Sequence, residues 1–192
     1  MIDFNRIPDQ FYWFNQPKYE VVADKLVVTT LPGTDFWQRT HYGFSKDNGH
    51  CLLTEMKLDF LMEVKTSFSP NKQYDQCGLM VRIDQDNWIK TSVEFEPPGH
   101  SLLGSVVTND GFSDWAMIDI NRSINEMWFR IQSRGKDFLI EYSHSGSVWY
   151  QQRITHLHKD FIELNIGIYA CSPMDSSFVS EFEYLRIVER NI

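Results

Sequence analysis

Two glutamates two residues apart, Glu94 and Glu96, come nearest in type and spacing to a catalytic constellation. On an extended strand they share a face and lie roughly 7 Å apart. Glycoside hydrolysis uses such a carboxylate pair, about 5–5.5 Å apart for retention and about 6.5–9.5 Å apart for inversion. Asp114 is another acid that could serve beside Glu94. Pro97-Pro98 closes the strand, which puts Glu96 at its lip. Glu94 also has a plainer role open to it, as cross-strand partner of Lys90 or Arg82.

Other candidate motifs are incomplete. His156-Leu157-His158 supplies two histidines with no third ligand at a recognised spacing, and reads as exposed loop residues. Asp84-Gln85-Asp86-Asn87 begins like a calcium loop but lacks the glycine at position six and the glutamate at twelve, so it reads as a hairpin turn. Ser143-His144-Ser145-Gly146-Ser147 lacks the leading glycine of a nucleophile elbow. Neither a phosphate-cradling glycine loop nor a dinucleotide fingerprint occurs. The expectation is therefore no metal and no cofactor. Cys51, Cys77 and Cys171 are widely spaced and odd in number, which suits free thiols, and no basic neighbour activates them.

The elements that must position these residues are strands. Of 192 residues, 15% are aromatic, and period-2 patterning dominates. Candidate strands cover 11–15, 19–23, 26–31, 35–41, 58–67, 76–83, 88–96, 102–108, 115–120, 126–133, 138–142, 148–153, 161–171 and 178–188. Turn sequences such as Leu31-Pro32-Gly33-Thr34, Lys46-Asp47-Asn48-Gly49 and Asn109-Asp110-Gly111 separate them. A helical turn is expected near Ile154–Asp160. No linker divides the chain, so residues 1–192 read as one all-β sandwich or jelly-roll domain.

The net charge of −8 disfavours nucleic acid as a partner, and no apolar run of membrane-spanning length occurs. The opening Met1-Ile2-Asp3-Phe4-Asn5-Arg6 carries no secretory pattern, which with the cysteines predicts a cytoplasmic protein.

Several co-ordered segments carry a resemblance over about residues 11–189. They are Thr34-Asp35-Phe36-Trp37-Gln38-Arg39-Thr40-His41-Tyr42-Gly43-Phe44, Tyr74-Asp75-Gln76-Cys77-Gly78-Leu79-Met80-Val81-Arg82, Trp88-Ile89-Lys90-Thr91-Ser92-Val93-Glu94, Ser105-Val106-Val107-Thr108-Asn109, Ser113-Asp114-Trp115 and Gly167-Ile168-Tyr169-Ala170-Cys171-Ser172-Pro173. Together they resemble the regulation-of-enolase-like family of the concanavalin A-like lectin/glucanase superfamily. The resemblance implies a jelly roll of two antiparallel sheets, one of them concave, and leaves activity open. Retaining glucanases of that superfamily carry three alternating acids on one strand, whereas Ser92 stands here in place of the first. Ser143 to Trp149 is similar to a Ser-x-Asp-Gly-x-x-Trp hairpin of the family, with Ser145 replacing the aspartate.

Parity along strands assigns faces. Cys77, Leu79, Val81 and Ile83 point inward, as do Ile89, Thr91, Val93 and Phe95, and Leu164, Ile166, Ile168 and Ala170. Pooling the opposite faces with the polar members of other strands gives Trp37, Arg39, Gln76, Arg82, Lys90, Glu94, Asn109, Asp114, Trp115, Arg130 and Tyr169. Sugars offer C–H patches that stack on aromatic rings and hydroxyls that need amides, carboxylates or guanidinium groups, which this set supplies. The reading that follows is a non-catalytic, lectin-like groove for a carbohydrate or small polar ligand, and the basic members favour an anionic one. A glycoside hydrolase using Glu94 with Glu96 or Asp114 is the alternative. A third reading is a regulatory module whose Trp- and Arg-bearing face docks a protein partner, such as a glycolytic enzyme.

Overall fold

The structure, a computed structural model, describes residues 2–57 and 59–190. Its strands run β1 (Ile2–Asp3), β2 (Tyr12–Phe14), β3 (Lys18–Val22), β4 (Lys25–Thr29), β5 (Phe36–Gln38) and β6 (Ser45–Asp47). Then come β7 (His50–Met56), β8 (Asp59–Ser69), β9 (Gln76–Asp84), β10 (Asn87–Glu96), β11 (His100–Asn109) and β12 (Phe112–Asn121). The chain finishes with β13 (Glu126–Arg134), β14 (Asp137–Ser143), β15 (Tyr150–His156), β16 (Leu164–Cys171) and β17 (Val179–Arg190).

Two large antiparallel sheets result. One has the order β15-β14-β13-β8-β17-β4-β3, with β1 also paired to β17, and the other has the order β12-β11-β10-β9-β16-β7-β2. Alternating apolar residues of both sheets meet between them. Leu79 and Val81 of β9, Ile89 and Val93 of β10 and Ile166 and Ile168 of β16 belong to the same buried cluster as Phe129 and Ile131 of β13. The inward assignments made by parity for these strands therefore hold except at Phe95, which is only half-buried and belongs to neither buried cluster, and the jelly-roll class holds as well.

A third, two-stranded layer, the β5–β6 hairpin, lies on the outer face of the seven-stranded sheet. It has its own core. Phe36 and Trp37 pack on Cys51, Leu53, Met80, Trp88 and Tyr169, with the Phe36 and Trp88 ring centroids 6.1 Å apart, edge to face. Gly49 has no side chain because the ring of Phe36 occupies the place: a Cβ there would stand 2.2 Å from it.

This third layer explains the largest departure from the sequence reading. β7 was not expected as a strand, because a strand covered on both faces reads as a continuous apolar run and shows no alternation. Six of its seven residues are buried. The expected strand over 35–41 is cut to Phe36–Gln38, since the chain turns through left-handed conformations at Arg39, His41 and Gly43. The helical turn expected near Ile154–Asp160 does not form. Residues up to His156 continue β15, and no helix occurs among the described residues. Leu58, the expected start of the fifth strand, and the outermost residues 1, 191 and 192 of the single-domain assignment lie outside the described residues.

Candidate functional site

A cavity of about 290 Å³ opens between the hairpin and the outer face of the seven-stranded sheet. Its floor crosses four strands, with Gln76 from β9, Lys90 and Glu94 from β10, Val106 from β11 and Trp115 from β12. Register places them together: Glu94 lies opposite Gln76, Lys90 opposite Val106, and Val106 opposite Trp115. The hairpin supplies Asp35, Trp37, Tyr42 and Phe44, while Tyr74, Pro173 and Met174 complete the rim. Trp37 is fixed by donating its Nε1–H to the Thr40 carbonyl at 3.0 Å, and its ring lies 5.4 Å from that of Tyr42.

The polar groups of the floor are organised as a chain. Tyr169 donates to Gln76 Oε1 at 3.1 Å, and Gln76 Nε2 donates to Glu94 Oε2 at 2.7 Å. Lys90 Nζ stands 3.4 Å from Asp35 Oδ1 with little exposure on either side. Burial alone would lower the Lys90 ammonium, but Asp35, followed by Cys171 and Glu94, holds it above its ordinary value. Removal from water pushes the Glu94 carboxyl up to about 8; Asp35 and Glu96 add to this, while Lys90 and the Gln76 hydrogen bond oppose it. At neutral pH the floor thus holds one ion pair and one protonated acid, with no net charge.

Of the residues singled out from sequence, Trp37, Gln76, Lys90, Glu94 and Trp115 converge on this cavity. Tyr169 lies beneath it, fully buried, and positions Gln76 without offering a ring to a ligand. Arg82 is on the same face but is held under the hairpin by a two-pronged pair with Asp47 at 2.7 and 2.8 Å, against the Phe14 ring. Arg39 fastens the hairpin outside the cavity, donating to the Gly111 carbonyl at 2.8 Å and lying 3.8 Å from Asp86.

Three assignments to the groove are corrected. Asn109 shares parity with Leu103 and Val107 on the inner face, and its amide bridges the His156 carbonyl and the His158 N–H. Asp114 lies opposite Val107 on the same inner parity, at the rim of the sandwich, where it pairs with Arg153 at 2.7 Å. Arg130 belongs to the other sheet; it grips Glu141 at 2.7 and 2.8 Å and lies over the Trp149 ring. With the guanidinium groups of Arg39, Arg82 and Arg130 engaged elsewhere, the anionic-ligand expectation loses its basis.

The acid pairs expected for hydrolysis are likewise not assembled in the cavity. Glu96 accepts a hydrogen bond from Gln73 and is not part of the lining, and Asp114 faces the other way. The second carboxylate of the cavity is Asp35, which the sequence marks only as the first residue of the strand expected over 35–41. Tyr42, Phe44, Tyr74, Pro173 and Met174 were missed because they come from loops, where parity has no meaning. Among the described residues no group of three or more His, Cys, Asp or Glu side chains is placed to hold a metal ion. All three cysteines are buried, and loss of water raises each thiol above its usual value.

Comparison with known proteins agrees with this architecture. A family model described as "Protein of unknown function (DUF1349)" matches residues 13–190. Regulation of enolase protein 1 of Saccharomyces cerevisiae is 35% identical over 162 residues, covering 84% of this chain and 80% of that protein. The crystal structure of a functionally unknown protein from Saccharomyces cerevisiae superposes with a TM-score of 0.87 at 31% identity, over 95% of this chain and 97% of that one. A carbohydrate-binding module, CBM66 from Bacillus subtilis, shares the fold at TM-score 0.63 and 12% identity, over 94% and 96% of the two chains. The GH43 protein BlXynB from Bacillus licheniformis does so at 0.76 and 14%, over 98% of this chain and 38% of that one.

Proposed function

The chain belongs to the DUF1349 family, the regulation-of-enolase-like group that its sequence resembles, and from that premise we propose that its outer-face pocket is a non-catalytic, lectin-like binding site for one saccharide residue or a polyol of that size. One observation carries this reading: the rings of Trp37 and Tyr42 from the hairpin face a floor that combines Trp115 with polar Gln76, Lys90 and Glu94. Rings of that kind take the C–H face of a sugar, and the floor offers donors and acceptors to its hydroxyls. The volume of about 290 Å³ sits at the small end of ligand sites, roughly 300–1,000 Å³, and suits one ring better than an extended chain. That the fold also occurs as a carbohydrate-binding module supports the reading by analogy only.

Catalysis is not part of it. A hydrolase at this site would have to use Asp35 as its second carboxylate, and Asp35 is held by Lys90. Thermal unfolding with a panel of neutral mono- and disaccharides tests the proposal. A ligand at 100 times its Kd should stabilise the fold by about 2.7 kcal/mol, and Trp115→Ala should abolish the shift. Absence of any shift across the panel would overturn it.

A second reading, a regulatory interaction module, is favoured by the exposed rim of Tyr42, Phe44, Tyr74 and Met174 and by the name of the yeast relative. Purified enolase should then bind directly, with affinity reduced by Tyr42→Ala. Binding that is indifferent to that change would remove the rim from the account.

A further inference from the structure

Charge in the pocket is unevenly satisfied. Lys90 is committed to Asp35 at 3.4 Å and forms no ion pair with Glu94. The three guanidinium groups expected near the site are engaged elsewhere: Arg39 on Gly111 and Asp86, Arg82 on Asp47 and Arg130 on Glu141. Glu94 is left with Gln76 Nε2 as its one side-chain hydrogen-bond donor among the described residues. An ionised carboxylate has about four lone-pair sites, so one donor leaves most of the accepting capacity that Glu94 gains on ionising unused. The rings of Trp37, Tyr42 and Trp115 line the same cavity, and aromatic faces attract cations.

We infer that the ring received by this pocket carries a protonated primary amine, as in an amino sugar, with the ammonium seated against Glu94. The inference rests on the saccharide reading and narrows it. A uronate or sugar phosphate would meet two carboxyl groups with Lys90 already paired. A neutral ring would gain one ordinary hydrogen bond from Glu94. An ammonium gains a charge-assisted one, which is about twice as strong. The chain's net charge of −8 also draws cations toward it.

Proton balance makes the seat measurable. The groups facing Glu94 are Lys90 and Glu96 from its own strand, Asp35 from the hairpin, Tyr74 from the loop before β9, and Tyr169 and Cys171 from β16. With those surroundings Glu94 keeps its proton in the empty pocket below about pH 8. An arriving ammonium stabilises the carboxylate. The Glu94 O–H bond breaks, the electron pair stays on the carboxylate, and the proton passes to the buffer.

Isothermal titration calorimetry at pH 6.5, repeated in buffers of different ionisation enthalpy, tests this with glucosamine, glucose and methylamine as probes. Glucosamine should bind about tenfold tighter than glucose, a difference of ~1.4 kcal/mol, and release close to one proton per ligand bound. In Glu94→Gln the preference should fall to near equality with no proton released. Equal binding of glucose and glucosamine to the unaltered protein overturns the inference and leaves the saccharide reading standing. Binding of methylamine with neither sugar keeps the ammonium seat and overturns the saccharide reading. Failure of all three probes overturns both. If Glu94→Gln does not fold, the preference measured on the unaltered protein decides, and equal affinity for glucosamine and glucose removes Glu94 from the seat.

Discussion

The outer faces of the two large sheets carry the same kinds of residue and do different things with them. On the eight-stranded sheet, Arg130 and Gln132 both donate to Glu141, Trp149 lies under Arg130 and Trp128 under Lys65. Arg130 with Glu141 and Lys65 with Glu126 and Glu183 all pair on that same open face. On the seven-stranded sheet, Lys90 and Arg82 find theirs in Asp35 and Asp47, which arrive from the hairpin above. The difference is the third layer. A single sheet face pairs its charges laterally and stays a surface, whereas a covering hairpin pairs them vertically and encloses space.

Asp47→Ala should break this contrast most severely. It strips the partner from Arg82, whose side chain is only 10% exposed. Loss of one member of a buried pair costs about 3–5 kcal/mol, so urea unfolding should show a stability loss of that size, with ligand binding lost as the hairpin lifts. Normal binding in the variant would show that the hairpin does not need this clamp.

The next effect is a pH dependence confined to the covered face. Glu94 is pushed up to about 8 in the folded chain from an unfolded value of 4.5, so the native state binds more protons between these limits. Stability must therefore fall as pH rises from about 5 to 8 and level off above. Solvent contact at the cavity reduces the full linkage to about 2 kcal/mol. Glu94→Gln should flatten that fall, and parallel curves for the two proteins would refute it.

Arg130→Ala should do least to the pocket, though not to the fold. Its pair with Glu141 is about as shielded as Arg82–Asp47, with side chains 18% and 12% exposed, so its loss should cost roughly 3 kcal/mol and leave the pocket's ligand affinity unchanged. A change in that affinity would mean that the two outer faces communicate through the core.

Much of this arrangement was legible in the sequence where strands alternate. Parity placed Gln76, Lys90 and Glu94 on one face and Leu79, Val81 and Ile89 on the other, because the outer face of β9 and β10 keeps polar residues at these positions even where the hairpin covers it. It failed where a second cover removed the alternation, as in β7. It could not say which sheet a strand joins, so Arg130 was pooled with residues on a different sheet. Asn109 and Asp114 carried inner-face parity but were grouped with the groove for their chemistry. Asp35, Tyr42, Phe44 and Tyr74 reach the cavity through backbone turns, and a tertiary turn leaves no periodic trace.

The hairpin's fastenings have a consequence for how such a protein can diversify. Two of its clamps, Arg82–Asp47 at the base and Arg39 on Gly111, lie outside the cavity. Residues 40–44 between β5 and β6 meet the pocket through Tyr42 and Phe44 and owe little to the sandwich beneath. That segment is an exchangeable cassette. Its sequence and length can drift, or be grafted from another chain, while both clamps and the layers below keep their places, so ligand preference can change without a new fold having to be found.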